Sequence, residues 1–143
     1  MNLPENIKDQ IEDSIQSGVC CKFVRIDDNW GIKAFLNEDD RDRSQNNQLE
    51  YAEYGLAPPC ECNRFEVGPY YCFVTRVAEI LACPSVYRKE RDEWDKIGKK
   101  NQKYIDNWQT MANDAGLPEV FDDHVGNFGW YEGDFVLIDC GND

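Results

Sequence analysis

The sequence predicts an α+β fold, and three observations predict it. Segments of helical period and runs of strand-forming residues follow one another as helix, two strands, helix, two strands, connector, helices, loop and hairpin. Short clusters of Gly, Pro, Asp and Asn punctuate the paired strand runs, which marks hairpins and a small antiparallel sheet. The composition, 143 residues with 41% hydrophobic and 13% aromatic, suits one folded domain with a real core. The expected layout is a single domain over 1–143: sheet and helix in 1–77, a connector at 78–85, and a helical part with a hairpin in 86–143.

Each element has a local reason. Pro4 opens a helix over 4–16, with Ile7, Ile11 and Ile15 at i, i+4 spacing and Gly18 beyond its end. Residues 19–26 are rich in β-formers, Asp27, Asp28 and Asn29 make a turn, and 30–36 return as a strand. Asn37 is placed to cap a helix over 38–54, whose first turn carries Glu38, Asp39 and Asp40 where they favour the helix dipole. Leu49, Ala52 and Leu56 give that helix an apolar stripe, Gly55 stops it, and 56–59 form an extended connector. Gly68 and Pro69 turn a hairpin between 65–67 and 70–77.

After the connector, charged residues dominate 88–103, with Lys96, Lys99, Lys100 and Lys103 on one basic face. Ile105, Trp108, Met111, Ala112 and Ala115 continue at helical spacing to Gly116, with Pro118 beyond. A last hairpin pairs 128–130 with 135–138 across Glu132, Gly133 and Asp134. The sequence holds no internal repeat and no low-complexity segment.

Charge and cysteine usage narrow the function classes. Twenty-eight acidic residues against 15 basic give a net charge of −13, which opposes direct nucleic-acid binding and suits a partner with a basic surface. No apolar run approaches the ~18 residues that a membrane span needs, and 1–10 lack the pattern of a secretory signal. Seven cysteines without such a signal point to reduced thiols in a cytosol. Cys60, Cys62, Cys72 and Cys83 do not follow the paired spacing of zinc knuckles and read as structural thiols. One histidine, His124, excludes a site built on two His ligands.

The chemistry-bearing residues concentrate in 121–142. Asp122 precedes Asn127 by five residues, and Asp139 lies twelve further on, at the end of the apolar run 135–138. A proton-accepting carboxylate, an amide and a second carboxylate on two arms of one hairpin suit phosphoryl transfer, with Mg²⁺ held against phosphates. Asp123 rivals Asp122 as a base on chemistry alone, and Asp122, Asp123 and Asn127 also fit a plain reading as turn residues. Upstream, Lys33 stands in the middle of the apolar strand Trp30, Gly31, Ile32, Lys33, Ala34, Phe35. A lysine there is costly to bury unless something anionic meets it, although a half-buried one also snorkels to water.

Taken together, Lys33, the pattern D-x-H-x-G-N at 122–127 and the hydrophobic-run-D-x-G at 135–141 resemble the protein-kinase-like fold. The small-molecule phosphotransferase branch, of the aminoglycoside- and choline-kinase type, is the nearest, and small phage-encoded kinase-like proteins share the resemblance. It implies an N-lobe-like part in 1–77, a hinge-like 78–85 and a reduced C-lobe-like part in 86–143. It implies ATP and Mg²⁺ as cofactors: Lys33 against the phosphates, Ala78 at the adenine-binding hinge, Asn127 and Asp139 as metal ligands, and Asp122 as catalytic base. His124 corresponds to a structural hydrogen-bonding histidine.

Several positions depart from the family. There is no G-x-G-x-x-G ahead of Lys33, only Ser17 and Gly18, and Val120 and Phe121 stand where the family writes H-R or H-G. Cys140 takes the middle place of D-F-G. No glutamate is assigned as partner to Lys33: Glu50 and Glu53 are near, and Gln45 and Gln48 compete for the inward position. The sequence ends four residues after Asp139, so activation segment and acceptor-holding helices are not expected. Two functions follow as expectations. One is a minimal phosphotransferase with an unknown acceptor; the other is a non-catalytic, pseudokinase-like acidic protein that modulates a host or defence protein. Self-association, with a partner chain supplying the acceptor half, is compatible with either.

Overall fold

The computed structural model describes residues 3–14, 21–81, 91–117 and 127–138. Its element order is α1 (Ile7–Asp13), β1 (Cys21–Arg25), β2 (Trp30–Phe35), α2 (Glu38–Glu53), β3 (Phe65–Val67), β4 (Tyr70–Arg76), β5 (Glu79–Ile80), α3 (Arg91–Asp114), β6 (Phe128–Tyr131) and β7 (Asp134–Leu137). The fold is mixed α+β, with two small antiparallel sheets. The chain divides into two compact units, one taking residues up to Glu50 with Pro59–Val77, the other Tyr51–Pro58 with Ala78–Ile138.

The first unit is built on a four-stranded sheet in the order β1-β2-β4-β3. Asp27 closes the β1–β2 turn: its Oδ1 accepts the N–H groups of Asn29 and Trp30, both at 2.8 Å, so the side chain supplies the turn's missing acceptors. β2 and β4 pair along their whole length, Ile32 opposite Val74 and Lys33 opposite Phe73. Because strand side chains alternate, Ile32 and Ala34 face one side and Lys33 and Phe35 the other. On the first side, Ile32, Ala34, Val24, Cys72 and Val74 form a core with Ile7 and Ile11 of α1. On the second, Phe35 stacks on Phe73, ring centroids 6.1 Å apart, beside Cys21.

The helix α2 starts where the sequence places it. Asn37 Oδ1 accepts the Asp40 N–H at 3.1 Å, and the Asn37 carbonyl accepts the first helical bond from Arg41. It stops at Gly55, whose φ of +71° a side-chain-bearing residue adopts only at a cost. The Leu56 N–H then returns to the Tyr51 carbonyl at 3.0 Å. The face of α2 that turns inward differs from the expected apolar stripe. Leu49 and Ala52 are only half-buried, while Arg41, Ser44, Gln45, Gln48 and Tyr51 are buried. Four of those five are polar, and a reading by hydrophobic period passes over them.

In the second unit α3 supplies Ile105, Trp108 and Ala112 to an aromatic core, whereas Met111 from the predicted stripe is 46% exposed. Lys96, Lys99, Lys100 and Lys103 are all exposed. Trp108 packs on Tyr51 at 5.6 Å and edge-on to Phe128 at 5.4 Å, and its indole N–H donates to the Leu56 carbonyl at 2.9 Å. The β6–β7 hairpin turns through two residues, Glu132 and Gly133, with φ of +49° and +87°. Both signs positive is the turn whose twist matches flanking strands, so Asp134 belongs to β7 rather than to the turn. Part of the expected connector is also a strand: Glu79 and Ile80 pair with Trp130 and Gly129. Two residues carry no alternation to read, and only the tertiary pairing defines them.

Candidate functional site

Among the described residues of the first unit, Lys33 is the most completely buried charged group, at 5% exposure. Its position follows from the register of β2: a residue between Ile32 and Ala34 must point away from the α1 core, toward α2. There its ammonium Nζ donates to Gln48 Oε1 at 2.9 Å, and Gln48 is 0% exposed. The other end of the same amide, Nε2, donates to Thr75 Oγ1 on β4 at 2.7 Å. Thr75, 2% exposed, in turn donates its hydroxyl to the Arg76 carbonyl at 3.0 Å.

The direction of this chain of bonds is fixed by chemistry. An ammonium can only donate, so the atom of Gln48 that faces it must be the carbonyl oxygen. The amide nitrogen is then left for Thr75, whose own proton is committed to a backbone carbonyl. All three side chains are held in one arrangement, without reliance on a chosen amide flip. The ammonium also lies 5.9 Å from the centroid of the Phe73 ring, a cation–π distance.

Lys33 acts on its surroundings electrostatically. Burial pushes the half-buried Cys60 thiol up to about 11, against the downward pull of the Lys33 ammonium and with a small upward push from Cys62. Cys72 is likewise raised to about 11 by burial, against the pull of Arg41. Thiols shifted in this direction stay protonated near neutral pH and are poor nucleophiles and poor metal ligands.

The rest of the α2 inner face has a different task. Gln45 Nε2 donates to the carbonyls of Glu61 and Asn63, at 2.7 and 3.2 Å, and its Oε1 accepts from Arg64 Nε at 2.6 Å. Arg41 reaches the carbonyls of Phe65 and Cys72 at 3.4 Å, bonds Asp42 at 2.6 Å and lies over the Tyr71 ring. These bonds satisfy the backbone acceptors of Glu61, Asn63 and Phe65, and one on β4 at Cys72. Gln48 alone among them turns to the lysine.

In the second unit, Asn127 is buried at 7% exposure, and its backbone carbonyl accepts the Ile138 N–H at 2.7 Å. Asn127 therefore stands opposite Ile138 at the base of the hairpin, one step beyond the Phe128–Leu137 pair. Asp139 is the next residue in the chain after Ile138. An amide oxygen with a carboxylate is a hard-oxygen donor set, of the kind Mg²⁺ takes together with phosphate oxygens and water. Ala78 is half-buried immediately before β5. Asp122, Asp123, His124 and Asp139 lie outside the described residues, and so does Cys83. Among the described residues no cluster of three His, Cys, Asp or Glu side chains has metal-site geometry, and no helix is long and apolar enough to cross a membrane.

Sequence reasoning left the partner of Lys33 open between glutamates and glutamines. The signal that could have found it is spacing: Arg41, Ser44, Gln45 and Gln48 recur at helical intervals on one face, as a buried stripe does, in polar residues. No protein-family model matches the chain, and no curated protein matches it significantly.

Proposed function

We propose that this chain is a kinase-like protein that binds ATP with Mg²⁺. The observation that carries the reading is Lys33, a lysine held at one point of a sheet interior by an oriented neutral amide. A buried ammonium positioned in this way suits an anionic ligand group, and phosphate is the group that the resemblance implies. The order of strands and helices in the first unit, lysine strand followed by helix followed by hairpin, supports the same reading. So does the pairing of Asn127 with the residue before Asp139.

In this reading Lys33 neutralises phosphate charge, and Ala78 lies at the adenine-binding hinge. Asn127 and Asp139 offer their oxygens to the metal, and Asp122 orients and deprotonates an acceptor hydroxyl. Mg²⁺, when bound, supplies charge neutralisation at the phosphates. Calorimetric titration of ATP, with and without Mg²⁺, tests the binding. The wild type is expected to bind only weakly without Mg²⁺, and Asp139→Asn is expected to abolish the Mg²⁺ dependence. Binding indifferent to both the metal and the substitution would remove the metal roles.

The acidic surface favours a second, non-catalytic reading, in which the protein docks on a basic partner protein. Glu38 and Asp39 are exposed at the start of α2, in a chain of net charge −13. Reversing Glu38, Asp39 and Asp40 together should weaken capture of such a partner and flatten its salt dependence. An unchanged salt slope would remove that reading's electrostatic basis.

A further inference from the structure

We infer that the outward row of α3 is a surface on which two copies of this chain pair antiparallel, Lys96 of each against Asp114 of the other. Lys96, Lys100, Lys103, Asn107, Thr110 and Asp114 recur at three- and four-residue steps, so they stand in one line along the helix. All six are exposed, and they lie opposite the buried row of Asn101, Ile105, Trp108 and Ala112. The line is basic in its first half and acidic at its end. Every Lys and Arg after Arg76 falls between Arg88 and Lys103, whereas residues 104–143 hold nine Asp and Glu and no Lys or Arg. Among the described residues, none of Lys96, Lys99, Lys100, Lys103, Asp106 and Asp114 forms a salt bridge. Asp114 also stands in the last helical turn, where the helix dipole opposes a carboxylate and no basic residue offsets it.

A helix with this charge order is complementary to itself only when turned end for end. In a parallel pair, lysine would meet lysine. Laid antiparallel about a twofold axis level with Ile105, a second copy brings its Asp114 to Lys96 and its Asp106 beside Lys103. The same register sets the methylene stem of Lys100 against the exposed Met111 of the other copy. Each contact occurs twice by symmetry. A polyanion would be served by the lysines alone and repelled by Asp106 and Asp114 on the same face. A second copy uses both signs of charge. The contact runs about 27 Å along one helix, so the pairing is weak, with a dissociation constant of roughly 100 µM. The charge of −13 on each copy does not forbid it. At physiological salt, repulsion beyond about 8 Å is largely screened, while the facing pairs lie closer than that.

The experiment is sedimentation equilibrium of the full chain at physiological salt, from about 10 µM to about 1 mM. Lys96→Glu and Asp114→Lys are measured alone, mixed in equal amounts, and combined in one chain, each checked for native circular dichroism. The wild type is expected to pass reversibly from monomer to dimer. Each single substitution turns two attractive contacts into repulsive ones and should raise the dissociation constant at least about tenfold. Asp114→Lys lowers the net negative charge, which by general repulsion alone would favour association, so its weakening reports the contact itself. The equimolar mixture should associate within about threefold of wild-type affinity, because each chain offers the charge that the other lacks. The combined variant should recover likewise. A wild type that stays monomeric overturns the inference. So does a dimer indifferent to both substitutions, or a mixture that associates no better than its components. A monomeric wild type that binds polyglutamate or an oligodeoxynucleotide, with binding lost in Lys96→Glu, gives the lysines a different partner and overturns self-pairing. Should either single variant not fold, Lys103→Glu and Asp106→Lys, tested and mixed in the same way, decide.

Discussion

Taken each by itself, the two units of this protein rely on different internal contacts. In the second, Trp108, Phe128, Phe135, Trp130 and Tyr104 form a continuous run of ring contacts, with centroids 5.1 to 5.6 Å apart. In the first, the inner face of α2 is polar, and its contacts are directional bonds from Gln45, Gln48 and Arg41. Aromatic packing is strong and tolerant of small shifts, so it stabilises without specifying one side-chain geometry. A buried polar network holds only when every member is correctly placed, and it restricts a charged group to one arrangement. The contacts that α2 makes around the candidate lysine are of the second kind, whereas the opposite face of the same sheet packs apolar side chains against α1.

The comparison breaks most readily at Trp108. Trp108→Ala removes a side chain that is 1% exposed together with its bond to the Leu56 carbonyl. It should cost about 3–5 kcal/mol in a denaturant titration. A loss under 1 kcal/mol would mean that the aromatic run is not the principal support of the second unit.

Gln45→Met probes the polar side of the comparison. It would leave the carbonyls of Glu61 and Asn63, and the Arg64 guanidinium, without their amide partner. About 2–3 kcal/mol of stability should be lost, although the methionine is itself well suited to burial. An unchanged midpoint would mean that water replaces the amide and that the network is not cooperative.

Gly129→Ala is expected to act locally. A Cβ there would run into the Glu79 carbonyl oxygen across the β5–β6 pair. The expected cost is about 1–3 kcal/mol, with amide-exchange protection lost at Leu81, whose N–H donates to the Phe128 carbonyl, and kept through β6 and β7. Protection lost throughout the hairpin would show that β5 supports more of the unit than its two residues suggest.

The smallest effect concerns the thiols. Cys60 and Cys72 are raised from 9.0 to about 11 in the folded protein, so folding favours their protonated forms. That contribution is complete below pH 9 and is lost as pH rises toward 11. Stability should therefore fall on the alkaline side, and Cys72→Ala should fall less steeply. Among the described cysteines, a thiol reagent at pH 8 should modify the exposed Cys62 first and reach buried Cys72 only on unfolding.

Much of the fold was legible because its punctuation is local. Asn37, Gly55, Gly116 and the Glu132–Gly133 turn set element ends through bonds made within four or five residues, and the chain alone reveals them. The strand that carries Lys33 was legible, but its burial was not, because a lysine in an apolar strand can also snorkel to water and the register depends on the pairing with β1 and β4. The inner face of α2 was not, because periodicity is read from apolar residues and this face is built from amides and a guanidinium. β5 was not, because a two-residue strand exists only through its partner. The base of the hairpin was legible from Asn127 and the apolar run before Asp139, whereas the placement of Asp122 and Asp139 lies outside the described residues.

The central claim is that Lys33 receives the phosphates of a bound nucleotide. Mg·ATP titration into wild type and Lys33→Met, side by side, tests it most directly. Methionine keeps most of the side-chain volume and removes the buried charge, so the variant should fold. Saturable binding by the wild type with at least about a tenfold loss in the variant is the predicted result. Equal affinity in the two proteins, or no binding by the wild type at millimolar ATP, would contradict it.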